Sequence, residues 1–539
     1  MKVTMPLRAT AAAAVLALGL AACGGGGSDT ETESGDPSGE STGQPGGEYA
    51  AAITEPTFLA PTSNCYESEC SKVLDMINDP LVSTDFETGE LIFNGLAESI
   101  EPDEEQTVWT ITLKEGRTFQ NGEPVDAESF ERAWSYAADP ENAMATAGFF
   151  SKIEGAGEGK ELPGFEIVDE RTFEVTLSGP FSQFGQQLSY APAFSPVSQE
   201  CFDDVKGCNE EPIGTGPYMM DGPWDHNKSI AVTKWDDYAG DQPAMADAVD
   251  FKMYTTPTAE FRDFQNGGLD VLDLAPEVYL EAKSTLGDEI IEDPTAVLTY
   301  LGFPTEEAPY DDPRVRQALS MAIDRQLIVD QVLNGLAFPS TDIVTPPIPG
   351  SRDDACGYCT YDPEQAQELL QEAGVDPEGE TLTYYFNADA GHDQWVEAAA
   401  RQVQENLGFD YELEAQEWAQ YLKFLDGKSF TGPFRLGWSL DYPSPENYLR
   451  PIVGTDGDSN YTNYSSSEVD DLITQGDEAA STEEAISFYQ QAGDVALEDM
   501  PIIPMWSGQT AIASSDKIGG VRYDQADGEI AYKEISVTQ

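Results

Sequence analysis

Only two imidazoles, His226 and His392, are present to move protons near neutral pH, and neither stands in a nucleophile-elbow context. A serine or cysteine nucleophile needs a base within hydrogen-bond reach; the Gly-x-Ser-x-Gly at Gly39-Glu40-Ser41-Thr42-Gly43 lies in a polar low-complexity stretch and not between a strand and a helix, and no His-Glu-x-x-His occurs. Two Gly-Lys pairs invite a phosphate-loop reading and fail it. Gly159-Lys160 runs on into Glu161, and Gly427-Lys428-Ser429 has Leu422 where the leading glycine must stand, so both read as surface turns. Asp456, Asp458 and Asn460 keep the spacing of a calcium loop, yet Tyr461 takes the place of the turn glycine and Ser467 that of the bidentate glutamate. No catalytic residue, metal ligand set or cofactor follows from these motifs.

The cysteines carry a different message. Apart from Cys23 they form three close pairs in acidic, turn-rich segments: Cys65 and Cys70, Cys201 and Cys208, Cys356 and Cys359. Six cysteines allow fifteen connectivities, of which pairing within each close pair is the simplest. Outside the cytoplasm such bonds persist, here as small loop staples. A metal site from Cys201, Cys208, Cys356 and Cys359 would have irregular spacing and no histidine nearby. A redox role for Cys356 and Cys359 is weakened by the Pro-rich coil before them, where a strand opening a helix would be needed.

Charge narrows the partners. The 539 residues hold 27 Lys plus Arg against 99 Asp plus Glu, a formal net charge of −72, so the surface repels nucleic acid and anionic lipid headgroups. An excess of this size suits salt-adapted surfaces, whose solvated carboxylates stay soluble where screening is strong. Disorder is not the alternative, because 40% of the residues are hydrophobic and 10% aromatic, enough to bury a large core. The length allows about three structural units.

The amino terminus reads as an address. Lys2 and Arg8 precede a mostly apolar run from Ala11 to Leu20, too short to span a bilayer and typical of a signal sequence. Leu20-Ala21-Ala22-Cys23 then resembles a bacterial lipobox, in which cleavage leaves an acylated cysteine first in the mature chain. Residues 1–22 are thus expected to be a lipoprotein signal peptide and Cys23 the lipidation site. Residues 23–48 are expected to be a lipid-anchored flexible linker, since Gly24 to Glu48 hold only Gly, Ser, Thr, Asp, Glu, Gln and Pro. The expected location is the extracytoplasmic face of the cell membrane, with Cys23 as the sole membrane contact.

Beyond the linker, strand and helix signals alternate. Ile111 to Leu113 and Thr172 to Leu177 read as strands, and Val125 to Ala138 as a helix. Asp312-Pro313 opens a helix with Val315, Ala318, Leu319 and Ala322 on one face, Asp324 caps another, and Asp362-Pro363 starts one that ends at Gly374. Strand-like Thr381 to Phe386 and an amphipathic helix near Val396 to Leu407 follow. This alternation predicts an α/β body of mixed sheets covered by helices.

The order of segments resembles the family-5 bacterial solute-binding proteins, the oligopeptide and dipeptide receptors of ABC importers. The carrying stretches include Gly95-Leu96-Ala97-Glu98-Ser99, Trp109 through Gly116, and Phe119-Gln120-Asn121-Gly122-Glu123-Pro124-Val125-Asp126-Ala127-Glu128. Ile213-Gly214-Thr215-Gly216-Pro217-Tyr218, Asp312-Pro313-Arg314-Val315-Arg316, Ala322-Ile323-Asp324-Arg325, Asp362 through Ala366, Asn460 through Tyr464 and Met500-Pro501-Ile502-Ile503-Pro504 continue the order.

The resemblance implies a two-lobed periplasmic-binding-protein-like (type II) fold with an extra subdomain in lobe one. Lobe one is expected at 49–304 with its subdomain at about 88–192, lobe two at 305–502, and a return to lobe one at 503–539. The implied function is capture of short peptides by a monomeric, non-enzymatic receptor that closes its lobes and delivers the ligand to ABC permease subunits. A non-peptide solute such as a sugar, metal chelate or opine on the same scaffold is the alternative, followed by a secreted hydrolase or adhesin. In the segment Phe434 to Tyr442, the resemblance places Asp441 against the peptide amino terminus, Arg435 toward its carboxylate and Trp438 in the pocket wall. Trp418 and Tyr421, three apart on an expected helix, are further candidates for the lining.

Overall fold

The computed structural model describes residues 46–538 except Glu87, Asp389, Ala390 and Asp527. The expected signal peptide, Cys23 and the linker as far as Pro45 therefore lie outside the described residues. β1 (Glu48–Ile53) is buried along all but its first residue, as suits a strand covered on both faces, and it pairs in parallel with Ala248–Met253 and with Val271. α1 (Ser68–Ile77) turns Val73, Leu74, Met76 and Ile77 inward.

A separate four-stranded antiparallel sheet follows: β2 (Ala97–Pro102), β3 (Val108–Leu113), β4 (Phe165–Asp169) and β5 (Thr172–Thr176), in the order β2-β3-β5-β4. β3 alternates as the sequence predicts, burying Trp109, Ile111 and Leu113. α2 (Ala127–Ala138) is set by a capping box between Asp126 and Ser129 and sends Phe130 and Trp134 into the same core. There Trp134 meets Phe165, Phe173 and Phe194 edge-on at 5.4, 5.6 and 5.1 Å.

The long strand β6 (Ile291–Gly302) leads to β7 (Phe434–Ser439), the helices α3 (Glu446–Val453), α4 (Ser467–Asp477) and α5 (Thr482–Asp499), and the return strand β8 (Ile502–Ser514). An eleven-stranded mixed sheet contains these three strands, in the order Asp410–Gln416, Thr381–Asn387, β7, β6, β8, Val271–Asp273, β1, Ala248–Met253, Ser229–Lys234 and Tyr218–Met220, with Ala337–Pro339 on β8. One apolar core draws on residues 296–506 and another on 60–208, while two more flank β1. The chain thus folds as two lobes. The core of the second draws on Ala296 to Trp506, and β6 and β8 also carry apolar residues into the cores beside β1. Their pairing shifts register between Pro294 and Leu298 and again between Thr299 and Tyr300.

Two of the recurrent stretches lock the first lobe. The Gln120 side chain accepts from Gly214 N at 2.8 Å and donates to the carbonyls of Ile77 and Tyr218 at 3.0 and 2.6 Å. Gly216 N donates to Ile77 O at 2.8 Å. A Cβ on Gly214 would lie 1.9 Å from Ile77 O, so the backbones can approach only without a side chain there. Disulfides join Cys65–Cys70, Cys201–Cys208 and Cys356–Cys359, with Cα separations of 5.7, 5.1 and 5.4 Å. Among the described residues no helix is long and apolar enough to cross a membrane.

Candidate ligand cleft

β7 pairs antiparallel with β6, Trp438 opposite Leu298 and Arg435 opposite Leu301. Spacing of three along a strand sends side chains to opposite faces, so Trp438 and Arg435 point away from one another. Trp438 leans on the core of lobe two. The strand ends at Ser439, and the chain turns through Asp441 and Tyr442-Pro443-Ser444-Pro445 into α3. Asp441 sits just past the carboxyl end of a sheet strand, where open α/β folds gather their ligands.

At that point a cleft of about 500 Å³ separates the lobes. Leu440 and Asp441 reach it from lobe two. The facing walls include Lys72 and Asp75 on α1, Tyr190, Met245, and Glu529 and Lys533 of the returning tail. A groove of about 540 Å³ between α4 and α5, lined by Glu468, Asp471 and Asp494, shares no residue with the cleft.

The Asp441 carboxylate is held by Asn447, whose Nδ2 donates to it at 2.9 Å while Oδ1 accepts from the Asp441 backbone N at 2.9 Å. Trp438 Nε1 lies 3.4 Å from the same Oδ1. Burial pushes the Asp441 carboxyl up to about 7 against the opposing pull of Asn447, and the nearby Asp458 and Glu446 carboxylates add to the rise. From the other lobe, Tyr190 feels the Asp441 charge, which with burial raises its hydroxyl above the usual range. A carboxylate so placed favours a cation that enters the cleft.

Arg435 belongs to a second polar group. Its Nη1 donates to Asn387 Oδ1 at 3.1 Å. Burial, and then the Arg435 charge, push His392 down to about 3, and the neutral ring takes a hydrogen bond from Trp395 Nε1 at 3.1 Å. Arg435 does not line the 500 Å³ cleft, and neither does Trp438. Tyr421 corrects the expectation of a pocket wall: it is fully buried, its hydroxyl 2.7 Å from the Arg435 carbonyl and 3.1 Å from that of Tyr385. It braces β7 through these two carbonyls. Trp418, on the same helix, is 41% exposed and also stands off the cleft.

Residues 92–460 match the family model described as bacterial extracellular solute-binding proteins, family 5 middle. The chain belongs to that family.

This family-5 protein is 27% identical over 448 residues to the oligopeptide-binding protein OppA of Bacillus subtilis (strain 168), covering 79% of this chain and 82% of that protein. To the glutathione-binding protein GsiB of Salmonella paratyphi A it is 26% identical over 438 residues, covering 79% and 83%. Haemophilus influenzae OppA in complex with RPPGFSPFR superposes with a TM-score of 0.76 at 23% identity, over 91% of this chain and 99% of that one. The two-lobed fold is common to both. Within the family-5 chain, Asn447, Tyr190 and the α1 and tail residues of the cleft escape sequence reasoning. Asn447 alone leaves a trace, a buriable amide at the start of a helix six residues after Asp441.

Proposed function

We propose that this family-5 protein is a lipid-anchored, extracytoplasmic receptor that captures short peptides between its lobes and passes them to an ABC permease. The observation that carries the reading is Asp441: a carboxylate on the interlobe cleft, held by Asn447. The α-ammonium of a peptide forms a charge-assisted hydrogen bond there. The peptide backbone can pair with strand edges, which gives affinity with little demand on side chains. The named ligands of the relatives support the reading, from oligopeptides to the RPPGFSPFR bound by the Haemophilus protein. Arg435 with His392 and Asn387 makes a polar group on the other face of β7, to which we assign the carboxylate end of longer ligands.

The lobes take the boundaries 49–304 with 503–539, and 305–502, and the receptor acts as a monomer that binds without cleaving. Cys23 carries the lipid, and the polar linker lets the body work just outside the membrane. Native mass spectrometry of gently purified, secreted protein tests the ligand class. A heterogeneous set of short peptides released on denaturation is the expected result, whereas a single sugar or metal chelate overturns the peptide assignment. An empty protein that also ignores a tripeptide library overturns it equally.

A further inference from the structure

One buried ion cluster lies outside the cleft and bridges the lobes. Lys152, in the subdomain between the short helical turn Ala145–Phe150 and β4, places Nζ 2.9 Å from Asp477 Oδ2 at the end of α4 in lobe two. The Asp477 side chain is 4% exposed and that of Lys152 29%. Beside them Ser182 N donates to the Asp477 carbonyl at 2.8 Å, and Ser182 Oγ to the Gly476 carbonyl at 3.3 Å. Phe181 holds the lysine from below, 4.9 Å from Nζ to the ring centre.

Asp477 has further partners besides this lysine. Arg450 of α3 bonds the same oxygen from within lobe two, and Tyr489 donates to the other at 3.1 Å. Arg450 in turn bonds Glu446, one turn earlier on the same helix. When the lobes part, Arg450 alone serves the Glu446 and Asp477 carboxylates, and water takes the place of Lys152 and Ser182 at Asp477. A contact that forms in one state and costs little to break in the other biases the equilibrium between them. α3 also carries Asn447, the partner of Asp441, so the ligand anchor and the bridge share one helix.

We propose that Lys152 is a closure latch, an affinity-determining residue that never touches the ligand but stabilises the closed lobes through Asp477. This rests on the capture reading given above and assigns it a residue that does not line the cleft.

Lys152→Met in the full chain retains the stem over Phe181 and removes the charge, and Lys152→Arg restores it. With trialanine as probe, calorimetry and stopped-flow should show Lys152→Met binding about fivefold more weakly, nearly all of it in faster release, as the loss of one partly exposed ion pair implies. Lys152→Arg should return within about twofold, and added salt should weaken wild type more than Lys152→Met. Equal affinity and release for Lys152→Met and wild type overturn the latch. If wild type binds no trialanine, the peptide reading fails on its own, and the latch is judged on the ligand-free protein. There, pulsed electron resonance between labels at Glu158→Cys and Glu468→Cys should show Lys152→Met shifted to longer distances, and an unchanged distribution overturns it.

Discussion

Asn447 uses both ends of its amide on Asp441, donating to the carboxylate and accepting from the backbone N at 2.9 Å each. The carboxylate is thereby aimed without being neutralised, which is the state that rewards an ammonium. Asp441→Asn should weaken a free-amino tripeptide by about 2 to 3 kcal/mol, roughly 30- to 150-fold, the worth of a hydrogen bond to a charged group. The N-acetylated tripeptide should change by less than about threefold on the same scale. Calorimetry on the four pairs checks this, and equal losses for both ligands remove Asp441 as the anchor.

Proton linkage gives a second signature. The empty site holds its carboxyl at about 7, and a bound ammonium keeps it ionised, so capture below pH 7 must expel a proton. Affinity should be flat above about pH 7.5 and fall with acid by up to about tenfold per pH unit until the lower pKa of the bound state is reached. Calorimetry at pH 6 in two buffers of different ionisation enthalpy should report release of close to one proton, and none for Asp441→Asn. The unliganded fold should respond in the opposite sense. A carboxyl whose folded pKa is raised destabilises increasingly as pH climbs from about 4 toward 7, so Asp441→Asn should raise the melting temperature at pH 7.5.

The Gly214 position makes a steric prediction. Gly214→Ala drives a methyl into the Ile77 carbonyl and breaks the Gln120 lock, so a loss above about 3 kcal/mol and poor secretion are expected. Gly122→Ala meets nothing within 4 Å and bears only the strain of φ +87°, for which about 1 kcal/mol is expected. Urea midpoints of the two variants compare them directly.

Arg325 is 3% exposed, and its guanidinium donates to the carbonyls of Pro504 and Cys359 at 2.8 and 3.0 Å and to Ser320 Oγ at 2.7 Å. It ties the helix after Asp324 to β8 and to the Cys356–Cys359 loop. Arg325→Met leaves those carbonyls without donors and should cost about 3 kcal/mol in denaturant unfolding. Peptide affinity of the surviving folded fraction should stay at the wild-type value, since Arg325 lies off the cleft.

Local signals in the chain were strong where short-range chemistry decides. Asp312, Asp324 and Asp362 cap helices through their side chains as expected, and Gly374 ends the last of these with φ +75°. The spacing of Trp418 and Tyr421 reveals that two aromatics share a helix face but not what lies opposite, and for Tyr421 that is the backbone of β7. The cleft itself was largely illegible. Its walls come from α1, Tyr190, Asp441 and the tail near Glu529, stretches far apart in the sequence that only the folded chain brings together. The resemblance pointed to Asp441, while the residue that aims it, Asn447, has a type too common in turns to stand out.

β6 and β8 do more than connect. They are bonded to each other as they pass from one core to the next, so the lobes are joined by a ribbon and not by two independent threads. A paired ribbon resists sliding and splaying, because either motion tears a ladder of hydrogen bonds, yet it yields to twist where its register breaks between Pro294 and Leu298. A joint of this kind favours rotation over sliding when lobes move against one another. Precision in the mouth of the receptor is inherited from the stiffness of its joint.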